Sequence, residues 1–155
     1  MIQVLSIFIL FLAIGGCSLT VPKRPQVGIK NVIVDNHVSV KSPKSRQLIQ
    51  RFKEYWHYRM IGDYQKAFAY ELPYQQYVIT LKKYRLITGG QYMADKILLK
   101  DITYQNNCAV VKRIVILNEY NISKKDKWCY VKDNWYHKFY QSILPPKTIE
   151  EAEFQ

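Results

Sequence analysis

Lys127-Trp128-Cys129-Tyr130-Val131-Lys132-Asp133-Asn134-Trp135-Tyr136-His137-Lys138-Phe139 is the most strongly patterned stretch of the chain. Aromatic and β-branched side chains lie on both sides of Asp133-Asn134. Such side chains suit a pleated, half-buried surface, whereas Asp and Asn are turn formers. The pattern predicts a strand over residues 127–132, a tight hairpin at Asp133-Asn134 and a final strand over residues 135–140. Trp135, His137 and Phe139 then share one face, because strand side chains alternate with period 2.

The same period runs upstream. Ile97-Leu98-Leu99-Lys100-Asp101-Ile102-Thr103-Tyr104 reads as a strand, and Gln105-Asn106-Asn107 as a turn. Residues 108–120 form a long second strand, with Val111, Val115 and Leu117 on one face and Val110, Ile114 and Ile116 on the other. The polar run at residues 121–125 reads as the next turn, which makes Lys124, Lys125 and Lys127 a basic hairpin tip. That turn would set Cys129 opposite Ile116, with Cys108 roughly 27 Å away at about 3.4 Å per residue, beyond disulfide reach. Cys108 and Cys129 are therefore expected as buried free thiols.

Before residue 90 the period is helical. Ser42-Pro43 offers an N-cap followed by proline at the first helical position. Leu48, Ile49, Phe52, Tyr55, Trp56 and Met60 then recur on one face up to Gly62, which suits the left-handed residue that closes a helix. Asp63 caps a short second helix that carries Tyr64, Ala67, Phe68 and Glu71 and stops at Leu72-Pro73. Tyr74, Tyr77, Val78, Leu81 and Tyr84 predict a third helix ending at Gly89-Gly90. Helices first and strands afterwards define an α+β class, three helices packed on a curved four-stranded antiparallel sheet.

The amino terminus carries a separate signal. An apolar run over residues 4–14 leads into Gly15-Gly16-Cys17-Ser18. At 11 residues the run is well short of the roughly 20 needed to span a bilayer, so a cleaved segment fits better than a retained helical anchor. Ile14-Gly15-Gly16-Cys17 resembles the lipobox of bacterial lipoproteins. The resemblance implies a signal peptide over 1–16 and lipid attachment at Cys17, including acylation by a group such as palmitate. It further implies a lipidated cysteine and tether over 17–44 and a bacterial cell-envelope location. Ser18 after the cysteine is similar to lipoproteins of the cell outer membrane facing the periplasm. Within the tether, residues 27–34 have strand character, which could pair on a sheet edge or against a partner, or simply be extended. The net charge of +11 favours anionic partners such as anionic lipid, a cell-wall polymer or an acidic envelope protein. An anchored chain rarely meets nucleic acid, so no nucleic-acid partner is expected.

Two patterns carry a fold resemblance. Phe52-x-x-x-Trp56 followed by Gly62-Asp63-Tyr64-Gln65-Lys66-Ala67-Phe68, and the closing stretch from Lys127, are similar to the NTF2-like (cystatin-like cone) superfamily. The resemblance implies an NTF2-like α+β domain over 45–144, followed by an acidic tail over 145–155. It also implies a conical pocket, lined here by Trp56, Tyr77, Trp135, His137 and Phe139. In enzymatic relatives such a pocket holds an acid–base pair. His57, His137, Asp101 and the tyrosines are the titratable candidates, but no carboxylate is spaced to orient either histidine. Motifs for a metal, a cofactor, a phosphate loop or a nucleophile elbow are absent from the sequence. The expectation is a membrane-anchored, non-enzymatic interaction or assembly module, without catalytic residues, cofactor or metal. The alternative is a small-ligand-binding or acid–base enzymatic domain that uses the cone pocket.

Overall fold

The computed structural model describes residues 28–89 and 92–139; Cys17, the expected signal peptide over 1–16 and the expected tail over 145–155 lie outside the described residues. The first strand is β1 (Val32–Val34), followed by helices α1 (Pro43–Ile61), α2 (Tyr64–Phe68), α3 (Pro73–Val78) and α4 (Leu81–Ile87). Strands β2 (Lys96–Gln105), β3 (Cys108–Leu117), β4 (Tyr120–Val131) and β5 (Asn134–Lys138) complete the described chain. The strands form one curved sheet in the order β1-β2-β3-β4-β5. Strand β1 pairs with β2 in parallel; β2–β3, β3–β4 and β4–β5 are antiparallel, and the β2–β3 register shifts between Leu99 and Asp101. The molecule is α+β, with α1 packed on one face of the sheet and Tyr74 of α3 reaching the other. Among the described residues no helix is long and apolar enough to cross a membrane.

Local chemistry accounts for the helix ends. The Ser42 hydroxyl accepts from the Ser45 N–H, Ser42's own N–H donates to Ser45 Oγ, and Pro43 opens α1. Gly62 closes α1 at φ +80°, where a Cβ would be strained. Asp63 accepts from the Lys66 N–H and caps α2. The buried face of α1 is Leu48, Phe52, Tyr55, Trp56, Arg59 and Met60. It lies against Ile97, Leu99, Ala109, Val111, Val115, Trp128 and Trp135 of the sheet. This apolar layer is the main stabilising element.

Four details differ from the reading of the sequence. The helix expected from Tyr74 to Gly89 is broken at Ile79-Thr80: Ile79 is extended, and the Thr80 hydroxyl accepts from the Lys83 N–H to begin α4. A fifth strand joins the sheet where four antiparallel strands are expected: β1 pairs in parallel on the edge of β2 and buries Val32. The β3–β4 turn is at Asn118-Glu119, not residues 121–125, with Asn118 at φ +52°. Residues 120–125 are an exposed end of β4, so their polar character marks a solvated strand, and Lys124, Lys125 and Lys127 stand along that strand and not at a hairpin tip. The last hairpin turns at Lys132-Asp133, both at positive φ, with Asn134 already paired to Val131.

Moving the β3–β4 turn moves the register and overturns the free-thiol expectation. Cys108 faces Cys129 directly, their Cα atoms are 3.9 Å apart, and the two form a disulfide. The bridge lies on the outer sheet face, where Cys129 and Val131 pack with Leu72 and Tyr74. These two reach that face because residues 70–72 run beside β5. His137 N–H donates to the Tyr70 carbonyl at 2.7 Å, and Leu72 N–H to the His137 carbonyl at 2.9 Å. That short ladder covers part of the β5 edge.

Candidate functional site

The ladder beside β5 brings Glu71 to His137, 66 residues away in sequence. Glu71 Oε2 lies 2.8 Å from His137 Nδ1. Its other oxygen accepts from the hydroxyls of Tyr55 and Tyr84, both at 2.9 Å. Arg59 reaches Tyr84 Oη at 3.4 Å and the Thr88 carbonyl at 3.1 Å. Every side chain in this group is buried, Glu71 completely. Tyr55 lies over the imidazole at 4.4 Å between ring centroids, and Trp128 closes its other side at 5.3 Å. A carboxylate–imidazole pair can move a proton. Here both partners are covered by aromatic rings, and the carboxylate oxygens are occupied by protein donors. Such a satisfied buried network fixes one packing of the interior.

A second buried pair stands on the other side of Trp56. Arg113 Nε donates to both Asp126 oxygens, at 3.0 and 2.8 Å, and Trp56 Nε1 donates to Asp126 Oδ2 at 2.9 Å. Arg113 also reaches Tyr92 Oη at 3.1 Å and stacks its guanidinium 3.9 Å from the Trp56 ring centroid. The charges neutralise each other inside the sheet's concave face.

Of the expected pocket residues, Trp56 and His137 meet at 6.3 Å, and Phe139 reaches the same network through Tyr84 at 5.0 Å. Trp135 is buried nearer the start of α1, where its indole N–H donates to the Lys44 carbonyl at 3.0 Å. Tyr77 does not line the interior; it is 89% exposed, because α3 turns Tyr74 and Gln75 inward instead. His57 is half-buried on α1, where the carboxylate it interacts with is that of the helix cap Asp63, and Asp101 is exposed on the outer sheet face opposite Lys112. Glu71 is the residue that sequence reasoning placed only as a helix position. Among the described residues no group of three or more His, Cys, Asp and Glu side chains is placed to hold a metal ion.

Burial, and then the neighbouring Glu71 carboxylate, push the Tyr55 hydroxyl well above its ordinary range, and the same two causes raise Tyr84. A raised phenol contributes stability that is fully present below about pH 10 and is lost as pH climbs toward the folded-state value. In an alkaline titration followed by near-ultraviolet absorbance, Tyr55 and Tyr84 should ionise only in the step that also abolishes the far-ultraviolet circular dichroism. Complete phenol ionisation with the dichroism intact would contradict their burial.

The outer face of β3, β4 and β5 differs in kind. Lys112 stands directly opposite Lys125, and Lys127 directly opposite Lys138. Partial burial, and then Lys127, hold the Lys138 ammonium below its usual value. A groove of about 620 Å³ runs over this face, with Lys112, Lys125 and Lys127 among its walls beside Asp126 and beside Asp101, which stands opposite Lys112. Like charges set opposite each other disfavour the isolated sheet.

No family model and no curated protein matches the chain. Among solved structures, a SEC-C motif-containing protein from Psychrobacter arcticus is similar at 9% identity and a TM-score of 0.49. The match covers 66% of this chain, which spans 63% of that one.

Proposed function

We propose that the chain is a membrane-anchored envelope lipoprotein, tethered through Cys17, whose NTF2-like domain is a non-enzymatic interaction or assembly module. The observation that carries this reading is the pair of facing lysine couples, Lys112 with Lys125 and Lys127 with Lys138. They cost the isolated sheet stability and become favourable when an acidic partner covers them. The disulfide adds support for location, since such bridges persist in oxidising compartments such as the periplasm. The test is a photo-crosslinking residue at Lys125 in intact cells. One or two envelope proteins should be trapped there, and trapping should be lost in Lys112→Glu/Lys127→Glu. Equal trapping from a position on α1 such as Lys53 would defeat the assignment of the face. The rival reading, a ligand-binding or acid–base domain, is favoured by one feature, the Glu71–His137 pair. It requires the interior to open around Tyr55 and Trp128.

A further inference from the structure

We infer that α3 and α4 form a second membrane-contact face, one that seats on an anionic phospholipid leaflet. The inference rests on the anchored reading for its biological setting, while the surface itself is argued from the residues that form it. Helix α4 buries Tyr84 alone; its remaining positions are exposed except for the half-buried cap. Tyr77 (89% exposed), Val78, Leu81, Leu86 (73%), Ile87 and Met93 (62%) are exposed apolar residues of α3, α4 and the segment that follows. Singly exposed apolar residues need no explanation, but α4 exposes Leu81, Leu86 and Ile87 and buries Tyr84 alone, which marks this helix as the centre of the contact surface.

Charge selects the occupant. Residues 72–94 contain no Asp or Glu, while Lys82, Lys83 and Arg85 lie among the exposed apolar side chains. Leu86 follows Lys82 and Lys83 by four and three positions, so both ammonium stems flank it on the face opposite Tyr84. Long cationic stems beside an apolar side chain let it sink into the headgroup region while the charges stay among phosphates. A tyrosine at such a rim suits the boundary between acyl chains and water. Protein interfaces, by contrast, deplete lysine at their centres.

The test uses the full chain and a tryptophan reporter. The native tryptophans are all buried, at 4%, 0% and 1% exposure for Trp56, Trp128 and Trp135, so Leu86→Trp adds the one reporter on this face. Vesicles of one part phosphatidylglycerol to two parts phosphatidylcholine carry bromine on the acyl chains near the headgroups. Leu86→Trp emission should shift to the blue and lose about half its intensity, as for a side chain seated at the acyl boundary. Ile122→Trp, exposed on β4, should not be quenched. In the reporter background, Lys82→Gln/Lys83→Gln should weaken partitioning about thirtyfold. Reporter emission that is unchanged although the chain sediments with the vesicles overturns the inference, as does a chain that leaves the vesicles untouched. A concentration-dependent blue shift without lipid identifies a second copy as the occupant and overturns it too. Acylation of Cys17, read by mass on the same samples, separates the two readings: quenching with an unmodified Cys17 upholds the face and sinks the anchor, and the converse result sinks only the face.

Discussion

Replacing Glu71 with alanine should lower stability by about 3–5 kcal/mol, the cost of leaving buried polar partners without their charge. Three groups converge on this carboxylate: the Tyr55 and Tyr84 hydroxyls and His137 Nδ1. None has water to turn to, since Glu71 and Tyr84 are fully buried and Tyr55 and His137 nearly so. Alanine removes the common acceptor and leaves a cavity between α1 and β5. Glu71→Gln keeps the shape and one carbonyl acceptor, so its loss should be smaller, about 1–3 kcal/mol. Urea unfolding midpoints measure both. An alanine variant within about 0.5 kcal/mol of the native chain, the range of a featureless surface change, would show that the network does not form.

Loss of the Cys108–Cys129 bridge should cost about 3 kcal/mol, on the chain-entropy estimate for a loop of this length. The two cysteines are separated by 21 positions, and the bridge joins the base of the long β3–β4 ribbon to the cluster under Leu72 and Tyr74. The double variant Cys108→Ala/Cys129→Ala isolates the effect from new thiol chemistry. Its thermal midpoint should fall by several degrees, and the native chain made under oxidising conditions should show no reaction of these cysteines with a thiol reagent after denaturation. Two reactive thiols per chain at these positions would restore the pairing-free arrangement and contradict the β3–β4 register.

The sequence legibly marks those elements whose signals are local. Ser42-Pro43, Gly62 and Asp63 sit at α1 and α2 boundaries because caps act over three or four residues. The inward face of α1 is likewise a matter of spacing alone. The β3–β4 turn is not legible in this way. Residues 121–125 are polar because that end of β4 is solvated, and their composition outweighs the shorter signal of Asn118-Glu119. One misplaced turn then displaces Cys108 from Cys129 by the whole length of a strand. Glu71 is hidden for another reason. Its role depends on a chain segment laid beside β5 after Phe68, so nothing within ten residues announces His137 as its partner. The exposed Tyr77 follows from the break at Ile79, which rotates α3 relative to the continuous helix that its spacing suggests.

The proposed role of the lysine face depends on the chain being held at a membrane by Cys17, and the α3–α4 face takes its biological setting from the same anchor. The most direct test is the intact mass of the protein purified from the membrane fraction of cells that make it. The proposal predicts a chain beginning at Cys17 that bears a diacylglycerol and a further acyl group, and a Cys17→Ala form that stays unprocessed and without lipid. A native chain that retains residues 1–16, or begins at Cys17 without lipid, would contradict it.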